Sequence, residues 1–301
     1  MTAHPTTHAP ARHATSPVSQ PLAARRRAWW PTDAVLAFDF SAGLYMAGGT
    51  AYAGFTSVPG ITVDRATPAW ALTPFDIPVA AGPHQPLIVP LRGLIHEPAR
   101  TRLNPQAIAA STFGIGANST VAPVTTTLPD GSTGTAYRIQ FPAIGNTFAN
   151  LTTALSSGTH SHQIWVRDNS AGISQQFALG AGTWPQVYIA TQQWKRFAVT
   201  QQATGISATI SNGFDTFATD VLVVWPDVQA GAIGSPILAP GATATRDAAV
   251  IELTSVSSLP GLTLDHSFTA TFEDGSTTTL TASGATLTIP VAAQPYRSII
   301  G

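Results

Sequence analysis

The chain has 301 residues, only 10% of them charged, and its formal net charge is −1 at pH 7. Charged residues make up about a quarter of an ordinary soluble domain. So little charge excludes a basic surface for nucleic acid or for an anionic membrane. Cysteine is absent, which excludes disulfides, thiolate catalysis and cysteine-based zinc sites. No apolar run approaches the length of a membrane span, so we expect no membrane insertion.

The remaining residue types favour strands over helices. Lys195 is the only lysine, and the only glutamates are Glu97, Glu252 and Glu273, so long charged helix formers are nearly missing. Thr, Ser, Val, Ile, Gly and Pro are abundant, and they favour short strands joined by turns. The composition therefore predicts an all-β protein.

Two segments precede the most regular part of the chain. Residues 1–33 are rich in Pro, Thr and Ala and show no hydrophobic period, which predicts an extended N-terminal arm that becomes ordered only against a partner. Residues 34–103 are predicted to form a linker segment of extended and β structure. Phe38 and Phe40 flank Asp39 as in a strand, and proline is frequent between residues 68 and 90, which disfavours helix.

Residues 104–240 are predicted to form a jelly-roll β-sandwich. Strand-like runs recur there between turn signals such as Pro129-Asp130-Gly131-Ser132. Tyr137, Ile139 and Phe141 alternate with polar residues, as in a half-buried strand. The apolar run from Val221 to Trp225 is typical of a strand buried on both faces. Regular spacing of such strands indicates a sandwich or jelly roll.

Residues 241–301 are predicted to form a small C-terminal β domain. Phe268, Ala270 and Phe272 alternate with threonines, and the tight turn Glu273-Asp274-Gly275-Ser276 leads into a returning strand, which indicates a hairpin. Because the segment is too short to be robust alone, we expect it to pack on the jelly roll or on another subunit.

Several segments resemble one family of proteins. Residues 92–103 read Arg-Gly-Leu-Ile-His-Glu-Pro-Ala-Arg-Thr-Arg-Leu and resemble the G-L-L-I-E-x-A-R-T-N-L segment of tail and other virion proteins of tailed bacteriophages. Further similar segments, in the order of that family, are Phe38–Phe40, Arg65–Trp70, Pro129–Gly131, Ala136–Arg138, Ile164–Arg167, Trp194–Phe197, Trp225–Gly231 and Pro240–Arg246. His96, Arg102 and Ala230 depart from the family pattern.

The resemblance implies both a fold and a setting. In that family the segment similar to residues 92–103 precedes a jelly-roll domain similar to carbohydrate-binding modules. The resemblance therefore implies localisation in the virion, with other phage virion proteins as partners and assembly as a homo-oligomer. Host surface polysaccharide is a further partner that such a jelly roll implies.

Several charged residues lie within one short stretch of the sequence. Glu97 lies among Arg92, Arg100 and Arg102. It is either a functional carboxylate with a perturbed pKa or part of a structural clamp of Arg92, Glu97 and Arg100 that fixes the linker against the jelly roll. We favour the clamp, because no second carboxylate lies nearby for acid–base work. No catalytic residue is assigned, and we predict that the protein is not an enzyme.

Aromatic and amide side chains supply the candidate ligand site. Trp184 lies between Gly182 and Pro185 in a predicted loop, and an exposed ring there can stack on a sugar. With Tyr188 and Gln192 it forms the candidate glycan contact. Most tryptophans of a sandwich belong to the core, and we expect this of Trp225.

Metal ligands are weakly indicated. His160 and His162 would share one face of a strand, but the sequence names no further zinc ligand, so we assign no metal-binding residue. A structural calcium ion is the alternative, held by some of Asp168, Asn169, Asp215 and Asp220, although no compact calcium loop exists. We predict no other cofactor.

Three functions follow in order of preference. The first is a structural protein of a tailed-phage particle, as a fibre, tail or head-decoration subunit. The second is a carbohydrate-binding adhesion module for host recognition. The third is a polysaccharide depolymerase, which would need a pair of carboxylates at a fixed separation; the sequence nominates no such pair.

Overall fold

The computed structural model describes residues 31, 33–104, 116, 118–144, 147–151, 155–170, 175–182, 185–205, 207–212, 217–234, 236–237, 244–259 and 261–301. Their regular structure is almost entirely β-strand, and the only helical elements among them are the 3₁₀ turns Phe55–Ser57 and Val256–Ser258. The prediction of an all-β protein is confirmed. In this part of the chain, no helix has the length and hydropathy that crossing a bilayer requires.

Short strands follow one another along the chain. In chain order they are β1 (Leu36–Asp39), β2 (Leu44–Ala47), β3 (Thr50–Tyr52), β4 (Ile61–Asp64), β5 (Ala69–Leu72), β6 (Pro78–Ala81), β7 (Ile88–Val89), β8 (Gly93–Leu94), β9 (Arg100–Arg102), β10 (Thr120–Thr127), β11 (Thr133–Phe141), β12 (Phe148–Asn150), β13 (Gly158–Asp168), β14 (Gln175–Gly180), β15 (Gln186–Ala190), β16 (Lys195–Ala203), β17 (Thr209–Ser211), β18 (Thr219–Ala230), β19 (Ala244–Arg246), β20 (Val250–Leu253), β21 (Ser267–Phe272), β22 (Thr277–Thr281), β23 (Leu287–Ile289) and β24 (Tyr296–Ile300).

Strands β10 to β18 form a jelly-roll sandwich. The larger sheet has the antiparallel order β10-β11-β18-β13-β16, and the smaller sheet has the order β12-β17-β14-β15. Beside β18, the larger sheet is extended by β9 and β19. The predicted jelly-roll sandwich is therefore confirmed.

Alternation along the strands decides which side chains enter this core. On β11 the side chains of Ile139 and Phe141 are buried between the two sheets, as the sequence pattern predicts. On β13 the same core receives Ile164 and Val166. The intervening side chains, among them Trp165, lie on the opposite face of the larger sheet.

The other strands form a second sandwich that combines segments from both sides of the jelly roll. Its larger sheet has the order β22-β21-β24-β1-β2-β3, with β8 also beside β24, and its smaller sheet has the order β23-β20-β4. Phe38 of β1 lies opposite Ile299 of β24, and Val63 of β4 lies opposite Ile251 of β20. Their side chains share one hydrophobic core.

The predicted division into a linker of residues 34–103 and a separate C-terminal domain of residues 241–301 is therefore wrong. Strands of either segment alone are too few and too short to bury a core, and together they complete two facing sheets. The predicted hairpin at residues 268–280 is confirmed, because β21 and β22 pair with Phe268 opposite Leu280.

An aromatic cluster explains the first strand of this sandwich. Phe38, Phe40, Tyr45 and Phe55 contact one another, with ring centroids 5.2 to 6.1 Å apart. Between the two phenylalanines, the carboxylate of Asp39 points to the turn and accepts hydrogen bonds from the Ser41 hydroxyl (2.6 Å) and the Ala42 amide (2.9 Å). The Phe-Asp-Phe pattern thus places two rings in the core and ends the strand.

The proline-rich residues 68–90 contain a hairpin that the sequence did not reveal. Strands β5 and β6 pair along their whole length, from Ala69 opposite Ala81 to Leu72 opposite Pro78. The turn between them takes Asp76 through a positive φ of 59°. We call β5, this turn and β6 the covering hairpin, because its tip lies on the jelly roll.

The chain divides into two units after Ala34. Of the first unit, Met1–Ala34, the structure describes residues 31, 33 and 34, where the Ala34 amide donates to the Pro31 carbonyl (3.1 Å). The rest of the predicted arm of residues 1–33 lies outside the described residues.

Candidate functional site: the concave face and the joint between the sandwiches

The larger jelly-roll sheet is strongly curled. Trp194, which immediately precedes the edge strand β16, donates its indole N–H to the carbonyl of Thr127 at the end of the opposite edge strand β10 (2.7 Å). Five flat strands would hold these edges about 19 Å apart. The Arg167 guanidinium on β13 also reaches the Thr126 hydroxyl (3.0 Å). The face that carries Trp165 and Arg167 is therefore concave, and we call it the concave face.

The centre of the concave face is filled by the covering hairpin. Leu72 packs against Trp165, which is only 1% exposed. The Trp165 indole N–H donates to the Asp76 carbonyl (3.1 Å), and the Arg196 Nε donates to the Asp76 carboxylate (2.9 Å). Arg196 is also bonded to the amide oxygen of Gln163 (3.1 Å). The hairpin therefore covers Trp165 and Gln163 and leaves the Arg196 side chain 22% exposed.

One end of the concave face carries polar groups that remain accessible. The Arg138 guanidinium forms two hydrogen bonds to the Asp220 carboxylate, from Nε to Oδ1 (2.9 Å) and from Nη2 to Oδ2 (2.6 Å). The amides of Asn169 and Gln140 donate to the same carboxylate. The side chains of Arg138 and Asp220 are 40% and 24% exposed. We call Arg138, Gln140, Asn169 and Asp220 the polar strip.

The chemistry of the polar strip suits a neutral polar ligand. The Arg138 guanidinium holds the pKa of Asp220 below its usual range, so the two side chains form a charged, oriented pair. Planar guanidinium, carboxylate and amide groups on one surface are what fixes hydroxyl-rich ligands in place. Arg167 lies in the same row of the sheet as Arg138, since both residues are opposite Leu222. Its guanidinium is 5.0 Å from the centre of the Trp194 indole ring.

Sequence reasoning found part of this strip but gave it another role. Asp220 and Asn169 were candidates for calcium, yet the Asp220 oxygens are engaged by N–H donors. Asp168 accepts from the Ser170 amide (2.6 Å), and Asp215 lies outside the described residues. In the sequence, Arg138 belongs to an alternating strand and to one segment of the family resemblance, and neither predicts a site there. Its position between Tyr137 and Ile139, which face the core, is the signal that places it on the opposite face.

A buried carboxylate lies deeper on the same face. Asp227 Oδ2 accepts hydrogen bonds from the side-chain amides of Gln163 (3.0 Å) and Gln229 (2.7 Å) and from the backbone amide of Ile237 (2.9 Å). Burial raises the pKa of Asp227 to about 6, although these donors and the nearby Arg102 oppose the shift. The carboxylate thus holds Ile237 against the sheet.

A second polar centre joins the two sandwiches, and we call it the joint. Arg246 Nη2 donates to the Glu97 carboxylate (2.9 Å) and to the Pro98 carbonyl (3.1 Å), and the two side chains are 3% and 20% exposed. The His96 Nε2 atom lies 2.7 Å from the Ala249 carbonyl oxygen. The backbone crosses between the sandwiches at these residues, from β8 to β9 and from β19 to β20.

The structure gives the three predicted clamp residues different partners. Arg92 forms a bidentate pair with Glu273, with N···O distances of 3.0 to 3.2 Å, and also donates to the Leu72 carbonyl. Arg100 donates to the Ala232 carbonyl (2.7 Å). Glu97 is paired with Arg246, 149 residues away in the chain. Arg246 belongs to the last segment of the family resemblance, and this was the signal that could have identified it.

Arg102 and Asn104 continue the joint into the jelly roll. Arg102 is completely buried, and it donates to the carbonyls of Asn104 (2.8 Å) and Ile237 (2.8 Å). The Asn104 side chain donates to the Pro226 carbonyl (2.9 Å) and accepts from the Val228 amide (2.7 Å). Together these bonds fix the end of the connecting segment along β18.

The predicted glycan contacts lie elsewhere. Trp184 is outside the described residues. The Tyr188 ring, on the smaller sheet, stacks on Phe177 with centroids 5.8 Å apart, and its hydroxyl donates to the Ala198 carbonyl (2.9 Å). The Gln192 amide donates to the Ser170 carbonyl (2.8 Å) and to the Asp168 carboxylate (3.1 Å). Tyr188 and Gln192 thus use their polar groups within the jelly roll.

The paired histidines of β13 face the core. The Nδ1 atom of His162 lies 3.1 Å from the Gly180 carbonyl oxygen, and burial lowers the pKa of His162 to about 4, which keeps the ring neutral at pH 7. His160 Nδ1 lies 3.1 Å from the Gly158 carbonyl oxygen. Within the described residues, no three His, Cys, Asp or Glu side chains are grouped so that they could hold a metal ion.

The strand order places the chain among jelly-roll β-sandwich proteins. No family model and no curated protein matches its sequence. Among solved structures, the chain is similar to the CBM22-1 xylan-binding domain of Paenibacillus barcinonensis Xyn10C, at 9% identity and TM-score 0.32, over 44% of this chain and 94% of that one. It is also similar to a family 11 carbohydrate-binding module from Clostridium thermocellum in complex with a mixed-linked tetrasaccharide, at 11% identity and TM-score 0.31, over 44% of this chain and 97% of that one. At these identities and TM-scores, what those proteins bind says nothing about this chain.

Proposed function

We propose that this chain is a non-catalytic structural subunit of a tailed-phage particle. The observation that carries the proposal is the joint, where Glu97 and Arg246 form a buried pair at the two crossings between the sandwiches. Glu97 belongs to the segment that resembles phage virion proteins, and Arg246 belongs to the last of those similar segments. Charged residues from two of these similar segments thus hold the two β-sandwiches together.

The contacts of the neighbouring arginines support the same mechanical role. Arg102 and Arg100 donate to backbone carbonyls of residues 104, 232 and 237, and Arg65 donates to the carbonyls of Thr67, Gly82 and Gln85. Guanidinium groups that bind backbone carbonyls fix loops in one geometry. A subunit that bears load between neighbouring proteins needs this rigidity.

The experiment is to purify particles from a strain that carries the gene and to measure the chain in them by quantitative mass spectrometry. We expect the chain to co-purify with particles through density-gradient centrifugation and high-salt washing, at a fixed copy number per particle. A matched strain with the gene deleted provides the control. A chain that is abundant in the lysate and absent from washed particles would contradict the proposal.

Contact with host surface glycans is the second candidate, and the polar strip favours it. The covering hairpin leaves Arg138 and Asp220 accessible on the concave face. Arg138 shares its row with Arg167, whose guanidinium lies over the Trp194 ring. Saccharides offer hydroxyls to planar polar groups and C–H faces to aromatic rings. The site supports binding of a neutral saccharide chain.

Arg138→Ala is the test of glycan contact. Losing a hydrogen bond from a charged group costs about 1.5–3 kcal/mol of binding energy, so affinity for host polysaccharide is expected to fall by roughly tenfold or more. Binding is measured by calorimetric titration with polysaccharide isolated from the host surface. The matched control is Arg297→Ala, an exposed arginine of the second sandwich, which should leave affinity unchanged. Equal affinity of both variants and the wild type would remove the polar strip from consideration.

A further inference from the structure

One edge of the jelly roll lacks the features that usually prevent strands of different molecules from pairing. An open edge strand exposes unpaired N–H and C=O groups, and proteins protect such edges with proline, charged side chains or very short strands. Four strands stand at the ends of the orders β10-β11-β18-β13-β16 and β12-β17-β14-β15. Of these, β10 carries Pro123, β16 begins with the exposed Lys195, and β12 has only three residues. The fourth edge, β15, reads Gln-Val-Tyr-Ile-Ala and has no charge and no proline.

The side chains of β15 are also apolar where they face solvent. Val187 and Ile189 are 47% and 56% exposed and lie on the same face of the strand. Between them, Tyr188 faces the core, where it stacks on Phe177 and donates its hydroxyl to the Ala198 carbonyl. The strand is therefore anchored in a fixed extended conformation. The edge strand β22 of the second sandwich is also uncharged, but its exposed side chains are threonines.

We propose that β15 pairs antiparallel with β15 of a second copy of this chain, about a two-fold axis at Tyr188. This register places Val187 opposite Ile189 of the other copy, and Gln186 opposite Ala190 of the other copy. Each exposed aliphatic side chain then meets an aliphatic partner, as in favourable cross-strand pairs. No charge on the strand opposes its copy, and the two smaller sheets become one sheet of eight strands. A two-fold contact of this kind closes on itself.

This surface is independent of the proposed phage role, because it concerns only pairs of the chain in solution. The first test measures the molar mass of the full chain by light scattering after gel filtration. We expect a dimer for the wild type and a monomer for Ile189→Lys, which places a charge on the edge. The matched control, Leu264→Lys, changes an equally exposed leucine in a turn of the second sandwich and should remain a dimer. A monomeric wild type, or a dimer that survives Ile189→Lys, overturns the proposal.

The second test reads the register directly and does not depend on the lysine variant folding well. The chain has no cysteine, so disulfides report only on introduced residues. Residues directly opposite each other in antiparallel strands lie about 4.5–5.5 Å apart, within disulfide reach, whereas diagonal neighbours at roughly 7–8 Å do not. Oxidation of a mixture of Val187→Cys and Ile189→Cys chains should therefore give a covalent dimer, and oxidation of either variant alone should give little. Equal cross-linking in all three samples, or none in the mixture, overturns the proposed pairing.

Discussion

Replacing Arg246 by methionine is expected to lower the free energy of unfolding by about 3–5 kcal/mol. Arg246 is 3% exposed and pairs with Glu97, which is 20% exposed. Removing the guanidinium takes the ion-pair partner away from the largely buried Glu97 carboxylate, and breaking a buried pair in this way is strongly destabilising. Arg246 also donates to the Pro98 carbonyl, so the backbone crossing between the sandwiches loses a hydrogen bond. Urea denaturation followed by tryptophan fluorescence measures the change.

Two further variants test whether the loss of stability is specific to the joint or follows from losing any arginine. Arg92→Met removes the pair with Glu273, whose side chains are 27% and 37% exposed, and exposed pairs contribute at most about 1 kcal/mol. The double variant Arg246→Met with Glu97→Leu should recover much of the lost stability, because the carboxylate is then removed together with its ion-pair partner. If Arg246→Met costs no more than Arg92→Met, the joint does not hold the sandwiches together.

Two buried groups, His162 and Asp227, are expected to cause little net change in the free energy of unfolding between pH 6 and pH 4, because their contributions oppose each other. Burial lowers the pKa of His162 from 6.5 to about 4, and burial raises the pKa of Asp227 from 3.8 to about 6. Each pKa unit corresponds to 1.36 kcal/mol, so each group contributes roughly 3 kcal/mol over its range.

The signs follow from proton uptake by the folded and unfolded chains. Between pH 6.5 and 4 the unfolded chain binds a proton at His162 that the folded chain does not, so stability is lost as the pH falls. Between pH 3.8 and 6 the folded chain retains a proton on Asp227 that the unfolded chain releases, so stability is lost as the pH rises. Over the shared range the two slopes nearly cancel.

Single substitutions should reveal how each group changes the free energy of unfolding with pH. In Asp227→Asn, His162 is the only one of these two groups that still titrates. The free energy of unfolding should then fall by roughly 3 kcal/mol relative to wild type as the pH drops from 6.5 to 4. In His162→Asn the change should have the opposite sign. Urea denaturation at stepped pH values measures both, and the double variant should return to the wild-type slope. Parallel profiles for Asp227→Asn and the wild type would show that Asp227 does not retain its proton in the folded chain.

Local pattern was enough to predict the faces of the longer strands. Ile139 and Phe141 occupy alternate positions of β11, as Ile164 and Val166 do in β13, and these four side chains lie in the jelly-roll core. The hairpin of β21 and β22 was predicted for the same reason, since its turn and both strands are adjacent in sequence. Alternation and turn chemistry act between neighbouring residues, so a single sequence carries them completely.

Long-range partners were decided only by the tertiary structure. The pairing of β1 with β24 joins residues near opposite ends of the chain, and Glu97 takes Arg246 rather than the arginines beside it in sequence. The covering hairpin fills the concave face because Leu72 and Asp76 meet Trp165 and Arg196 there. Many strands of equal length and pattern could pair, and many arginines could meet one carboxylate. The choice depends on which combination buries both cores and satisfies the buried polar groups together, and no local period encodes that.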